Sequence, residues 1–203
     1  MGIEEKLLNV ANGEWTRWGF SVIPLHARRV IGGTERAPPF VNFVNDYWKI
    51  VGNPDRNGRS PFPWSAAFVS FCFKAAGADT KFPYRGGHFD YCAQILKHRD
   101  TFAALELTDP EIAVLAPGDL IWAARGGRDC PSPPTSHGAA LADLRNGRWF
   151  CSHADIVVAQ RDGEADVIGG NVSDSVTKTT YVTVNGRIRD PRHVWLAVIK
   201  NSL

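Results

Sequence analysis

The segment Phe62-Pro-Trp-Ser-Ala-Ala-Phe-Val-Ser-Phe-Cys-Phe-Lys-Ala-Ala-Gly77 constrains this chain more than any other stretch. It reads as an apolar helix over about 64–76, opened by a turn residue and closed by glycine. Ser65 falls in its first turn. The free N–H groups and positive dipole end of a helix stabilise an anion forming on a side chain there, so the position suits a nucleophile. It suits equally an N-cap serine bonded to a backbone N–H. Both readings stand on sequence.

The rest of the chain places this helix among other helices and ahead of a sheet. Residues 3–18 form an amphipathic pattern through Leu7, Leu8, Val10, Ala11, Trp15 and Trp18, and Phe43–Val51 repeats it through Val44, Tyr47, Trp48 and Val51. Pro24, Gly32-Gly33 and Pro38-Pro39 break the intervening stretch into loop and short extended pieces. A further helix is predicted over His88–Lys97, and Leu115–Trp122 reads as a turn entering a strand. Arg125–Pro134 is a loop. Strands are predicted at Gly138–Leu144, Phe150–Val158, Ala165–Ile168, Thr177–Val184 and Val194–Ile199, with Asn146-Gly147 and Asn185-Gly186 as turn signals. Helices followed by a meandering sheet define an α+β class, in one domain over residues 1–203.

Composition excludes more than it selects. The net charge of +2, with no basic run, gives no ground for nucleic-acid binding. No stretch approaches the roughly 18–20 apolar residues of a membrane span. The opening Met-Gly-Ile-Glu-Glu-Lys-Leu-Leu is acidic and amphipathic and lacks a secretory h-region, so cytoplasmic synthesis is expected. Cys72, Cys92, Cys130 and Cys151 match no zinc-ribbon spacing and no compact disulfide framework, which makes reduced thiols the expectation.

Polar residues of catalytic type gather in two later segments. In Ser152-His-Ala-Asp-Ile-Val-Val158, alternation sends His153 and Asp155 to one face and Ala154, Ile156 and Val158 to the other. In Val167-Ile-Gly-Gly-Asn-Val-Ser-Asp-Ser-Val176, Gly169-Gly170 permits a tight turn that sets Asn171 at a strand end. An Asn or Asp there can hold one imidazole nitrogen so that the other faces a nucleophile. Each has a plainer reading. His153 suits an ordinary strand histidine, Asn171 a turn residue, and Asp155 a solvated charge or the orienter itself. Cys151, His153 and Asp155 share one strand face, but three ligands on one flat strand rarely converge on an ion, so no metal and no cofactor are expected.

A nucleophile on an early helix, a histidine on a later strand and a polar orienter on the next occur here in the papain-like order. In that order the chain resembles the NlpC/P60 and CHAP superfamily of cell-wall hydrolases, and more closely the DUF2272 family. The matching stretches are Glu14-Trp15, Tyr47-Trp48, Pro63–Ser70, Pro117-Gly-Asp-Leu120, His153–Val158 and Ile168–Val176. The resemblance implies a papain-like NlpC/P60-type α+β fold, N-terminal helices packed on a C-terminal antiparallel sheet. It implies an amidase or endopeptidase acting on bacterial cell-wall peptide, with Ser65 attacking, His153 as base and then acid, and Asn171 holding the imidazole. Trp64, His88 and Asp155 would contact substrate, with Trp122 and His137 as further groove candidates. Without a secretory leader, such an enzyme would meet the wall through phage lysis or a secretion apparatus, with a delivery or immunity partner.

Two positions depart from the pattern. Ser65 stands where the wider superfamily has cysteine, although the narrower group carries serine. Ala154 stands where the narrower group has cysteine after the histidine. A serine hydroxyl is far harder to deprotonate than a thiol. The alternative expectation is therefore a catalytically degenerate binding or interaction module.

Overall fold

The computed structural model describes residues 2–127 and 129–203. Its first helix, α1 (Ile3–Arg17), carries Glu4 and Glu5 in the first turn and Arg17 in the last, charges that complement the helix dipole. It buries Leu7, Ala11 and Glu14. A short strand, β1 (Ser21–Ile23), precedes α2 (Phe40–Ile50), whose Val44, Tyr47 and Trp48 turn inward at helical spacing. Then come α3 (Ser65–Ala75) and α4 (His88–Lys97). α3 is apolar nearly all round and buries eight residues from Ser65 to Phe73, the pattern of a helix enclosed by its neighbours.

The strands are β2 (Leu105–Thr108), β3 (Leu120–Ala124), β4 (Ser152–Arg161), β5 (Glu164–Val172), β6 (Ser175–Val184), β7 (Arg187–Ile188) and β8 (Trp195–Asn201). They form one sheet in the order β1-β6-β5-β4-β3-β8-β2, with β7 paired to β6. All pairs are antiparallel except β1 with β6, which is parallel. The α+β class holds. The sheet is mixed rather than wholly antiparallel and C-terminal, because a strand from the N-terminal region closes the β6 edge.

Another expectation is corrected between β3 and β4. Gly138–Leu144, read as a strand, lies in a helix, α5 (His137–Asn146). Ser136 caps it by accepting from the Ala139 N–H at 3.2 Å, and Gly147 ends it in the left-handed region at φ 66°. Asn146-Gly147 is thus a helix stop rather than a hairpin turn. Asn185-Gly186, with φ of 51° and 73°, does join two strands, β6 and β7.

The sheet has two buried faces. Trp122, Ala154, Ile156 and Ile168 pack against the helices, while Ile121, Val157, Val167, Tyr181 and Val198 pack on the opposite side. The alternation expected for β4 is realised, with Ala154 and Ile156 on the helix side. Cys130 and Cys151 form a disulfide that ties the loop after β3 to the start of β4. This corrects the expectation of four reduced thiols; Cys72 and Cys92 remain free and buried. A bridge between a loop and a strand start leaves no spacing signature. Among the described residues, no helix is long and apolar enough to cross a membrane.

Candidate active site

Trp64, not Ser65, is the N-cap residue of α3, and no side-chain capping bond is made there. Ser65 is the first helical residue, and its hydroxyl turns sideways instead of back to the backbone. Its Oγ lies 2.6 Å from Nε2 of His88, the first residue of α4. On the other side of that ring, His88 Nδ1 lies 2.6 Å from the Tyr91 hydroxyl, one helical turn along α4. Burial holds the His88 pKa well below the ordinary histidine value, with smaller contributions from His153 and Arg125. His88 is therefore neutral. Burial also pushes the Tyr91 phenol well up, so it keeps its proton.

A second imidazole stands against the first. The rings of His88 and His153 meet edge to face with centroids 5.3 Å apart. His153 Nε2 lies 2.7 Å from Asp155 Oδ1, a carboxylate two residues along the same strand. Asp155 is only 3% exposed. Its oxygen is fitted against β5 so closely that a Cβ on Gly169 would come within 1.7 Å of it. The other ring nitrogen, His153 Nδ1, is buried and has no hydrogen-bond partner among the described residues. Leaving such an atom unpaired costs about 1–3 kcal/mol. An imidazole held through one nitrogen by a carboxylate, with the other nitrogen unpartnered, is the arrangement in which a histidine can take up and return a proton.

Asn171 does not take the place expected for it. It sits in an irregularity of the β5–β6 pairing between Gly169 and Val172, with φ 58°. No hydrogen bond joins it to His153 among the described residues; Asp155 makes that contact. Trp64 is also repositioned. It is 1% exposed, stacked between Trp18 (5.3 Å) and Tyr47 (5.6 Å), and its indole donates to Glu35 at 2.6 Å. Its faces are spent on packing, as is fully buried Trp122. Beneath Trp64, Trp18 donates to the Tyr47 hydroxyl at 2.8 Å, and Tyr47 donates to the Glu14 carboxylate. Arg17 donates to the same carboxylate at 2.7 Å. His137 is likewise committed, its Nδ1–H donating to the Leu196 carbonyl at 2.6 Å.

Gly170 lets α3 approach the sheet, since a Cβ there would lie 2.5 Å from the Phe68 Cβ and 2.8 Å from the Trp64 ring. The first intrahelical bond of α3 runs from the Phe68 N–H to the Trp64 carbonyl at 2.9 Å, so the amides of Ser65, Ala66 and Ala67 precede the ladder. Beside His153 and Asp155, on the sheet face away from the helices, is a cavity of about 60 Å³. Ile121, Ala123, Tyr181, His193 and Trp195 line it. Sequence reading did not single out Tyr91, Tyr181, His193 or Trp195. Only Tyr91 carried a readable signal, its three-residue helical spacing from His88. Cys151 is held in the disulfide, which removes its thiolate from any metal site with His153 and Asp155.

With this geometry in place, comparison with known proteins is informative on one point. The family described as "Uncharacterized protein conserved in bacteria (DUF2272)" matches residues 46–201. The chain belongs to that family. No curated protein and no solved structure matches it.

Proposed function

We propose that this chain is an acyl-transfer hydrolase of amide bonds on a papain-like scaffold, with Ser65 as nucleophile and His153 as base. The observation that carries this reading is the unpartnered His153 Nδ1, buried one ring contact from the Ser65–His88 pair while Asp155 occupies Nε2. A polar atom sealed without a partner is costly, and a site that retains one is consistent with its filling by a substrate or a moving proton.

In the proposed reaction, the Ser65 hydroxyl proton passes to His153 Nδ1 as Oγ attacks the amide carbonyl. The imidazolium formed is held against Asp155. The unbonded amides at the start of α3 receive the oxyanion. His153 then gives its proton to the leaving amine, and a water, deprotonated by the same imidazole, frees Ser65 from the acyl group. Bacterial cell-wall peptide is the substrate class that the resemblance to NlpC/P60 and CHAP hydrolases suggests. Purified protein incubated with peptidoglycan should release new amines and muropeptide fragments, and Ser65→Ala should abolish both. Equal product from Ser65→Ala would sink the serine mechanism.

One observation favours a second reading, a degenerate binding module. Ser65 is only 4% exposed, and its hydroxyl is already bonded to His88. Ser65→Cys separates the two. Turnover gained with the thiol would mark an assembled site, whereas retention on sacculi without turnover by either protein would leave binding alone.

A further inference from the structure

The hydrogen bonds from Tyr91 to Ser65 can run in two directions, which leave unplaced either the proton of fully buried Tyr91 or that of Ser65. His88 is neutral and carries a single N–H, because burial disfavours its charged form. Tyr91 is 0% exposed, and the partner of its hydroxyl among the described residues is His88 Nδ1. With the imidazole proton on Nδ1, that N–H would donate to the Tyr91 oxygen, and the phenolic proton would have no acceptor in a closed site. With the proton on Nε2, Tyr91 donates to Nδ1 and Nε2–H donates to Ser65 Oγ. Every proton from Tyr91 to Ser65 is then placed.

The proton left over is that of Ser65 itself. Ser65 is the less deeply buried of the two, at 4% exposure against 0% for Tyr91, and a second imidazole lies one ring contact away. His153, in ring contact with His88, holds the buried Nδ1 that lacks a donor. The open donor and the open acceptor fall on the two groups between which the proposed reaction moves a proton.

We propose that Tyr91 fixes His88 as its Nε2–H tautomer, so that His88 is a permanent hydrogen-bond donor to Ser65 Oγ and not its base. This rests on the reading of Ser65 as the reacting atom. A fixed donor stabilises the oxygen as charge develops on it and leaves proton abstraction to His153. Base and stabiliser are then separate imidazoles. The arrangement offers a physical route by which a serine can serve where a more acidic thiol would otherwise be needed. His88 touches the reacting atom and is a catalytic residue in this scheme; Tyr91 acts through it as a positioning residue.

The test is the tautomer itself. The full chain, labelled with ¹⁵N-histidine, is read by long-range proton–nitrogen correlation, which reports the protonated nitrogen in each ring. The protein has six histidines, and the signals lost in His88→Gln assign His88. The expected result is a proton on Nε2 and a bare Nδ1. Tyr91→Phe should shift His88 to the Nδ1–H form or to a mixture of the two. A wild-type His88 with its proton on Nδ1 overturns the proposal, as does an unchanged tautomer in folded Tyr91→Phe. If that variant does not fold, the wild-type spectrum decides alone. The readout needs no turnover, so inactivity on peptidoglycan counts against the hydrolase reading only. An active enzyme with Nδ1–H on His88 counts against this proposal only.

Discussion

Ser65 and His88 are joined by a 2.6 Å hydrogen bond across two helix N-termini, 23 residues apart in sequence. His153, the histidine that sequence order pairs with the nucleophile, is bonded to Asp155 and meets His88 ring against ring. Two imidazoles therefore meet here, one bonded to Ser65 and the other to Asp155, and they differ in what holds them. One leans on a phenol and the other on a carboxylate.

That difference predicts separable phenotypes. His153→Ala should lower kcat by about 10²–10⁴-fold, the usual contribution of general acid–base catalysis. Asp155→Asn should lower kcat in the same direction with little change in KM, because the carboxylate acts through the ring and not on substrate. Steady-state kinetics on a defined wall peptide would check both. A KM effect without a kcat effect would move Asp155 from orienter to binding residue.

Gly169 provides a test that leaves every polar group in place. A Cβ there would lie 1.7 Å from Asp155 Oδ1. Gly169→Ala should displace the carboxylate from His153 and cost about 1–3 kcal/mol by overpacking. Urea midpoints together with kcat would check it, with activity falling by more than the folded fraction does.

Acid should destabilise the fold through His88. Its folded pKa lies well below the ordinary 6.5 because burial disfavours the cation. The unfolded chain takes up a proton that the native state refuses. The stability tied to its neutrality is complete above pH of about 6.5 and is lost as pH falls from there toward the folded value, by up to about 1.4 kcal/mol per pH unit. His88→Gln cannot take up that proton. Its stability deficit relative to wild type should shrink between pH 7.5 and 5, as read from urea midpoints at each pH.

Reduction of the Cys130–Cys151 bridge should lower stability by about 3 kcal/mol, the entropic cost of freeing a loop of this size. Denaturation with and without reductant would measure it. Cys130→Ser should show the lower value in both conditions. Because Cys151 lies two residues before His153 and accepts from the Arg125 N–H at 2.9 Å, loss of the bridge should also lower kcat.

Much of the scaffold was legible because its signals are local. The boundaries of α4 follow from helical spacing, and the alternation of β4 correctly separated His153 and Asp155 from Ala154 and Ile156. α5 was misread although its signals were present. Ser136 and Gly147 are a helix cap and a helix stop, but Asn146-Gly147 also fits a hairpin turn, and the small residues Gly138-Ala139-Ala140 give little helical periodicity. β1 and β2 are short edge strands whose pairing comes from partners far along the chain. At the candidate site, residue types and order suggested Ser65 and His153, with His88 as a substrate contact, and the structure joins the three in one run of contacts. Which imidazole nitrogen meets which oxygen is set by how α3 and α4 abut the sheet, and no spacing encodes that.

The family match begins at residue 46, yet the protein's architecture begins earlier. The Ser21 and Ser175 hydroxyls lie 2.7 Å apart across 154 residues of chain, where β1 seals the β6 edge. Glu14 and Trp18 brace Tyr47 and Trp64 from below. The unit that folds is thus longer than the unit that is recognisable. Cut at the family boundary, the sheet would carry an open edge able to recruit a second chain, and Trp64, at the start of the helix bearing Ser65, would lose the Trp18 side of its stack and keep only Tyr47. Among the contacts of the fold this seam spans some of the longest sequence separation, and long loop closures form slowly. Assembly of the helix bearing Ser65 in its final setting is then tied to the meeting of β1 with β6.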